Sequence, residues 1–335
     1  MLSKGYNMSE LTCFKAYDIR GELGIDIDAQ IAYRIGRSVT QHFNAKKVVV
    51  GWDARQTSAE FGDAVSRGIM DAGGDVLNIG MSGTEEMYWG VTEFKADAGI
   101  IVTASHNPIN YNGMKIVKSE SRPLDDDADF KVIKKLAEDQ DWNATSKIGK
   151  KIYIASEAQA KYVSKILKFI NIDKLKPLKL VVNCGNGAAG PTFDAIAEAL
   201  KVEGVPLEII RVHHEPDYTF PNGIPNPLLV ENRPATSEVI IREEADLGVA
   251  FDGDFYSLDT ALVTLCIDQV NDCPVAVDDI FSINEGFVLE STVAKNDTDA
   301  DINTDDNNYA VITPPAIGTL ELRSDGSFTY TPPNQ

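Results

Sequence analysis

The stretch AGIIVTASHNPINYNGMKI, residues 98–116, decides the fold. It opens as a short apolar run with no polar alternation, the pattern of a strand buried on both faces of a parallel sheet. The hexapeptide Thr103–Pro108 then leaves that strand at its carboxyl end. Open α/β sheets bind ligands at this edge, in the crevice outside the strand ends. Ser105 therefore stands where a ligand would be, with His106 beside it. A serine hydroxyl is a weak nucleophile unless activated, but as a phosphoserine it becomes a phosphoryl donor and a metal ligand. A Ser-His pair alone is a weak sign of catalysis. The hexapeptide followed by YNGMKI, with Lys115, is far more specific.

Outward from this stretch, strands and helices alternate. KKVVVGWD (46–53) and DVLNIG (75–80) read as strands. Between them TSAEFGDAVSRGIMDAGG (57–74) reads as a helix, with Thr57 or Ser58 as its N-cap and Gly73-Gly74 as its stop. An earlier helix from Asp28 puts Ile31, Ile35, Val39 and Phe43 on one face. A charged segment, 123–151, reads as a polar helix and a linker. The pattern then restarts with a helix near 155–170, strands at 178–185 and 207–214, helices at 188–202 and 234–245, and a last strand at 246–254. This predicts two α/β domains, over 10–145 and 152–256, behind a disordered N-terminus at 1–9. Beyond 258 the pattern is short strands and turns, the signature of an all-β sandwich. Its strands are expected at 260–267, 276–286, 310–316, 318–324 and 327–333, with a hairpin turn at Asp325-Gly326.

Composition narrows the function classes. The 335 residues carry a net charge of −20, and residues 256–335 hold 14 of the 51 acidic residues but only 2 of the 31 basic ones. Nucleic-acid binding needs a basic footprint and is not expected. No run of eighteen apolar residues occurs, so no membrane span is expected. The start has no apolar stretch behind its lysine, so it does not read as a secretory signal. The four cysteines, Cys13, Cys184, Cys266 and Cys273, form no C-x-x-C pair and read as free thiols. A Cys266–Cys273 bridge stays open for an oxidising compartment. His213 and His214 have no metal partners in sequence and read as structural.

Five segments together resemble the α-D-phosphohexomutase superfamily, nearest to its bacterial phosphomannomutases. They are CFKAYDIRGELG (13–24), VTASHNPINYNGMKIV (102–117), KLVVNCGNGAAG (179–190), FPNGIPNPLL (220–229) and GVAFDGDF (248–255). The resemblance covers residues 10–255, the first two of that family's four domains. It implies two three-layer α/β/α domains with mostly parallel mixed sheets. It also implies transfer of a phosphoryl group between the 1- and 6-oxygens of a hexose, through a bound hexose bisphosphate. Ser105 then carries the phosphoryl group, and His106, Lys115 and Arg20 serve the transfer. Tyr17, Arg20 and Lys115 contact the hexose phosphate. One Mg²⁺ is held by Ser105, Asp252 and Asp254, oxygen ligands that suit a hard cation. A cytoplasmic location follows from the same likeness. Arg55 in GWDAR fits a family motif but is read as structural, a partner of Asp53.

The metal loop departs from the family pattern. Tyr256 stands where a third aspartate is expected and Ser257 where an arginine is expected. Asp259 is displaced by three residues and offers no replacement. A weakened Mg²⁺ site follows. Neither the Glu-Met-Ser sugar loop of the family's third domain nor the phosphate loop of its fourth is recognised. GMSGTEEMYWG (80–90) resembles the former only superficially and belongs to a first-domain helix.

The tail, through QVNDCPVAVDDIFSINEG (269–286), AKNDTDAD (294–301) and GTLELRSDGSFTYTPP (318–333), resembles the cadherin-like, Ig-like tandem repeats of bacterial surface proteins. The resemblance implies a spacer or adhesive module. Asp297, Asp299 and Asp301 are a candidate Ca²⁺ set, set against a plain solvated acidic loop. No Pro-, Gly- or Ser-rich linker separates the two styles. The expectation is a joined reading frame whose mutase part is truncated and turns over poorly. The alternatives are an extracellular Ca²⁺-binding repeat fragment, or a tail in which YSLDTALVTL supplies the second domain's next strand.

Overall fold

Every residue of the strand before the serine loop is buried, and the alternation of its side chains builds two hydrophobic layers at once. The computed structural model describes residues 10–16, 18–255, 262–264, 277–283, 287–297 and 309–333. The first domain runs β1 (Ile19–Glu22), α1 (Ala29–Phe43), β2 (Lys47–Trp52), α2 (Ser58–Asp71), β3 (Asp75–Met81), α3 (Thr84–Glu93), β4 (Ala98–Val102), β5 (Tyr111–Lys118), β6 (Arg122–Pro123), α4 (Lys131–Asp139) and β7 (Lys151–Tyr153). Its sheet has the order β1-β5-β4-β2-β3-β7, with β6 paired to β5. β2 is parallel to β3 and β4, while β5 runs antiparallel to both β4 and β1.

Side chains alternate across a strand. Val48, Val50, Ile100 and Val102 therefore face one layer, with Ile35, Val39, Val65, Ile69 and Ile133 of α1, α2 and α4. Val49 and Ile101 face the other, with Met87 and Val91 of α3 and Ala158. Each of these fully buried aliphatic side chains contributes roughly 1.5–3 kcal/mol. α1 starts where Asp28 accepts the Ile31 N–H at 2.7 Å. At the start of α2, Thr57 makes no side-chain cap. Asp53 accepts the hydroxyl of Ser58, the first residue of the helix, at 2.5 Å. Behind the sheet edge, Lys118 donates to Asp129 at 2.7 Å and His42 Nε2 lies 2.9 Å from it. Burial works against the Asp129 charge, but these two partners outweigh it and hold the carboxyl at about 2.

The second domain adds α5 (Ala155–Leu167), β8 (Leu178–Asn183), α6 (Ala189–Val202), β9 (Leu207–Val212), α7 (Pro234–Glu243), β10 (Leu247–Ala250) and β11 (Leu262–Thr264). Its sheet order, β11-β10-β8-β9, repeats the β5-β4-β2-β3 core of the first. Each run has two parallel pairs and one antiparallel pair. The serine loop after β4 and the Asp-Gly-Asp loop after β10 thus leave equivalent positions.

Three boundaries differ from the sequence expectation. The supposed linker to residue 151 is used as β7, which extends the first sheet beside β3. The strand expected to open the β-sandwich instead pairs with β10, as Gly248↔Thr264 to Ala250↔Leu262. An open strand edge presents unpaired N–H and C=O groups, and β11 satisfies those of β10. In the tail, the described parts of 276–286 and 310–316 form no strand. The tail's described strands are β12 (Leu289–Thr292), β13 (Thr319–Leu322) and β14 (Ser327–Thr331), an all-β antiparallel sheet ordered β12-β14-β13. The hairpin turn falls where expected, with Gly326 at φ 80° and the Ser327 N–H and hydroxyl both donating to Asp325. Phe328 is buried there and meets Phe281 edge-on at 4.9 Å between ring centroids. Residues 1–9, Cys266 and Cys273 lie outside the described residues, and Cys13 and Cys184 are buried free thiols. Among the described residues no helix is long and apolar enough to cross a membrane.

α1 and α2 cross closely because Gly68 has no side chain: a Cβ there would run into the Tyr33 carbonyl oxygen and reach the Arg37 nitrogen at 2.8 Å. Gly68→Val should destabilise the first domain by about 1–3 kcal/mol. Urea denaturation followed by far-UV circular dichroism measures this, and an unchanged midpoint would refute the close crossing.

Candidate active site

The serine loop is held from beneath by a buried guanidinium. Arg55 donates from Nη1 to the carbonyls of Pro108 (2.8 Å) and Tyr111 (3.0 Å). From Nη2 it donates to those of Ser105 (2.9 Å) and Asn107 (2.5 Å). Its charge faces Asp53 at 3.5 Å. The structural reading of Arg55 is what the geometry shows, with the loop as its object. Ser105 sits at φ 50°, in the left-handed region that a non-glycine residue rarely adopts, and its N–H is anchored on Thr103 Oγ1 at 2.8 Å.

This conformation aims the hydroxyl across to the second domain. Ser105 Oγ donates to Asp252 Oδ2 at 2.7 Å, and His106 Nδ1 lies 3.3 Å from the same hydroxyl. Asp254 has no exposed surface. Its Oδ2 receives Thr84 Oγ1 (3.0 Å), Thr103 Oγ1 (3.1 Å) and Lys115 Nζ (3.0 Å). Its Oδ1 is buried without a hydrogen-bond partner. A buried charged oxygen without a partner is costly. Together with Asp252 and the serine oxygen it makes an all-oxygen donor set, which fits a hard divalent cation. Two carboxylates are fewer than three: among the described residues no cluster of three metal-ligating acids, histidines or cysteines occurs.

Arg20 joins the group from β1. It pairs with Asp18 at 2.6 Å and reaches Asn107 Oδ1 at 3.4 Å. A cleft of about 680 Å³ carries Arg20, Ser105, His106, Lys115 and Asp252 on its polar side and Leu124 and Phe130 on its apolar side. The sequence-predicted residues Arg20, Ser105, His106, Lys115, Asp252 and Asp254 therefore converge. Tyr17, Tyr256, Ser257 and Asp259 lie outside the described residues. In the tail, Asp297 spends its carboxylate on the Val277 N–H (2.7 Å) and the Tyr309 hydroxyl (2.9 Å), and Asp299 and Asp301 lie outside the described residues.

Electrostatics give the cluster its character. Burial pushes the Asp252 carboxyl up, the His106 contact pulls it down, and the Asp254 charge pushes it up again. Glu85, on the first turn of α3, was missed by sequence reasoning. Burial, with the nearby Asp254 and Asp252 charges adding to it, pushes its carboxyl up to about 8, and its Oε2 has no hydrogen-bond partner. The signal was available: Thr84-Glu85 directly follows the carboxyl end of β3, the edge that also presents Ser105. His214 is structural as expected. It lies 3.4 Å from Cys184 and 2.9 Å from Asp194, and burial pushes the Cys184 thiol up to about 12, too high for a nucleophile.

Comparison with known proteins assigns three stretches of the chain to family models. Residues 12–142 match the family model described as phosphoglucomutase/phosphomannomutase, alpha/beta/alpha domain I, and residues 160–258 match that of domain II. Residues 271–335 match a bacterial Ig domain. The phosphomannomutase of Salmonella montevideo is 49% identical over 248 residues, which cover 74% of this chain and 54% of the relative. That of Escherichia coli (strain K12) gives the same figures. The chain thus spans about half the length of the curated relatives it matches. The crystal structure of a phosphoglucomutase/phosphomannomutase family protein from Burkholderia thailandensis is 32% identical with a TM-score of 0.62, covering 72% of this chain and 52% of that one. Parafusin, a phosphoglucomutase from Paramecium, shares the fold at 16% identity and a TM-score of 0.56, covering 72% and 51%.

The raised Glu85 carboxyl has a stability consequence. An unfolded glutamate titrates near about 4.3. Between that pH and about 8 the folded chain keeps a proton that the unfolded chain has lost. Stability therefore falls as pH rises through this window. Glu85→Gln should remove the loss. Its melting temperature should match the parent near pH 4 and exceed it increasingly toward pH 8. Scanning calorimetry of both proteins across that range checks it, and parallel curves would place the Glu85 carboxyl at its ordinary value.

Proposed function

The chain belongs to the phosphoglucomutase/phosphomannomutase family through its first two domains, with a bacterial Ig domain after them, and from that premise we propose that it carries the phosphoryl-accepting half of a phosphomannomutase-type reaction. The observation that carries this reading is the Ser105 hydroxyl donating to Asp252 at 2.7 Å, with Asp254 and Lys115 paired immediately behind. Ser105 Oγ attacks one phosphoryl group of a hexose 1,6-bisphosphate. Its proton passes to Asp252 as the new P–O bond forms and the sugar P–O bond breaks, and the released sugar oxygen takes that proton back as the hexose monophosphate leaves. Phosphoserine then hands its phosphoryl group to the free hydroxyl of a mannose or glucose monophosphate, regenerating a bisphosphate, and return of the phosphoryl group on its other oxygen to Ser105 completes the net shift between 1- and 6-phosphates.

Lys115 and Arg20 supply positive charge for the phosphate. Arg20 suits bidentate contact and Lys115 acts as a point charge. Arg55 keeps the Ser105 loop from relaxing, so the hydroxyl needs no reorganisation when the substrate arrives. Asp252, Asp254 and the serine oxygen would hold Mg²⁺, which neutralises charge developing on the transferred group. Tyr256 and Ser257 replace the loop's expected aspartate and arginine, which weakens that site and slows turnover.

Purified chain incubated with a hexose 1,6-bisphosphate and Mg²⁺ should gain one phosphoryl group, located on Ser105 by peptide mass spectrometry. Ser105→Ala should gain none. Asp252→Asn should slow the gain by roughly a hundredfold, in line with the loss of a general base. Absence of the adduct, or its appearance on another residue, would overturn the assignment. Interconversion of mannose 1- and 6-phosphates at about 10 s⁻¹, an ordinary enzyme rate, would overturn the weakened loop.

A further inference from the structure

Where α3 of the first domain meets α5 and α6 of the second, a cavity of about 140 Å³ opens that shares no lining residue with the Ser105 cleft. This is well above the ~10–15 Å³ that a single water needs. Glu86 and Trp89 reach it from α3, Ser156 and Tyr162 from α5, and Thr192 from α6.

The lining has one sign of charge. Glu86 is its one charged side chain, and no lysine, arginine or histidine joins it. Glu86 is only 6% exposed. It accepts the Gly83 N–H at 2.7 Å on one oxygen and the Thr192 hydroxyl at 2.8 Å on the other. A carboxylate offers about four lone-pair sites, so two are left after these bonds. Burial still outweighs both bonds and pushes the carboxyl up, a cost that a cation beside it would relieve. Trp89 and Tyr162 form an aromatic corner, with ring centroids 5.3 Å apart and planes at 63°. Aromatic faces attract cations. Tyr162 is 7% exposed, yet its hydroxyl makes no hydrogen bond among the described residues. Burial, and then the Glu86 and Glu85 charges, push its phenol up, so the hydroxyl stands in the field of the carboxylate. A buried hydroxyl without a partner is costly, and a guest in the cavity would supply one.

We propose that this cavity binds a short alkylammonium ion, a protonated primary amine. Its charge is met by Glu86 and by the faces of Trp89 and Tyr162. Its three N–H groups have three acceptors: the Tyr162 hydroxyl, the Ser156 hydroxyl and the free lone pairs of Glu86. Its alkyl chain has Met81 and Ala158 to lie against. A neutral alcohol of equal length lacks the charge, and an anion would meet a carboxylate and no cation. The Glu86–Thr192 bond ties the first domain to the second, so the guest sits at their seam. The inference does not depend on phosphoryl transfer at Ser105.

Butylammonium is the probe and 1-butanol its neutral counterpart, compared at constant ionic strength by saturation-transfer NMR on the full chain. Transfer to the butylammonium protons is expected at millimolar concentration, and none to those of 1-butanol. Trp89→Leu should weaken binding by about tenfold, the scale of one desolvated cation–π contact. Glu86→Gln keeps a hydrogen-bonding group for Gly83 and Thr192 but removes the charge, and should weaken it at least as much. Ser156→Trp blocks the cavity from an exposed position on α5 and decides the matter if the other two variants do not fold. No transfer to butylammonium, equal transfer to 1-butanol, or transfer undiminished in the folded variants would each overturn the proposal.

Discussion

The site depends on one buried guanidinium. Arg55 has only 4% of its surface exposed, and it donates to three carbonyls of a loop that has no regular structure of its own and to that of Tyr111, where β5 begins. A buried arginine without partners would be prohibitively costly, and so would a loop whose carbonyls were left unpaired. Each cancels the other's cost. The left-handed conformation of Ser105 is held by this arrangement and by Thr103, and the direction of its hydroxyl follows. Asp53 supports the guanidinium and also accepts the Ser58 hydroxyl at the start of α2, so the sheet, the helix and the loop share one network.

The two α/β domains meet through hydroxyls that donate into carboxylates. Thr84, Thr103 and Ser105 of the first domain reach Asp254 and Asp252 of the second. Thr192 of the second reaches back to Glu86 of the first at 2.8 Å, while Glu86 also accepts the Gly83 N–H that opens α3. Burial alone pushes the Glu86 carboxyl up, and both partners pull against it. Short hydrogen bonds to buried acceptors fix direction as well as distance. This is why residues some 150 positions apart in sequence reach a common cleft.

Much of this was legible in the residues. The strands with Val48–Val50 and Ile100–Val102 announce themselves by apolar runs, and α1 by its Asp28 cap and spaced isoleucines. Ser105, Lys115 and Asp252 were legible as motif members, and the carboxyl-edge rule explains why they converge. Only the place of Glu85 after β3 was open to reading; its raised carboxyl was not, because burial, the main cause, and the nearby Asp254 and Asp252 charges arise only on folding. β7 was hidden for a related reason: it is a three-residue edge strand whose pairing is set by the open edge beside it rather than by a pattern of its own. β11 falls within 260–267, which reads as a strand, and its pairing with β10 matches the alternative in which YSLDTALVTL supplies the second domain's next strand. The coil at 277–283 shows the reverse error. Its apolar residues alternate well enough to suggest a strand, yet Ile280 is almost wholly exposed there.

The crowding of carboxylates around one lysine has an electrostatic meaning. Asp252, Asp254 and Glu85 share a small volume with Lys115, and two of the three carboxyls are pushed upward by their surroundings. Glu85 keeps its proton up to about 8, so at neutral pH it stands there as a neutral acid. The crowding is tolerated because one member of the group gives up its charge, which spares the Lys115–Asp254 pair a further anion at close quarters.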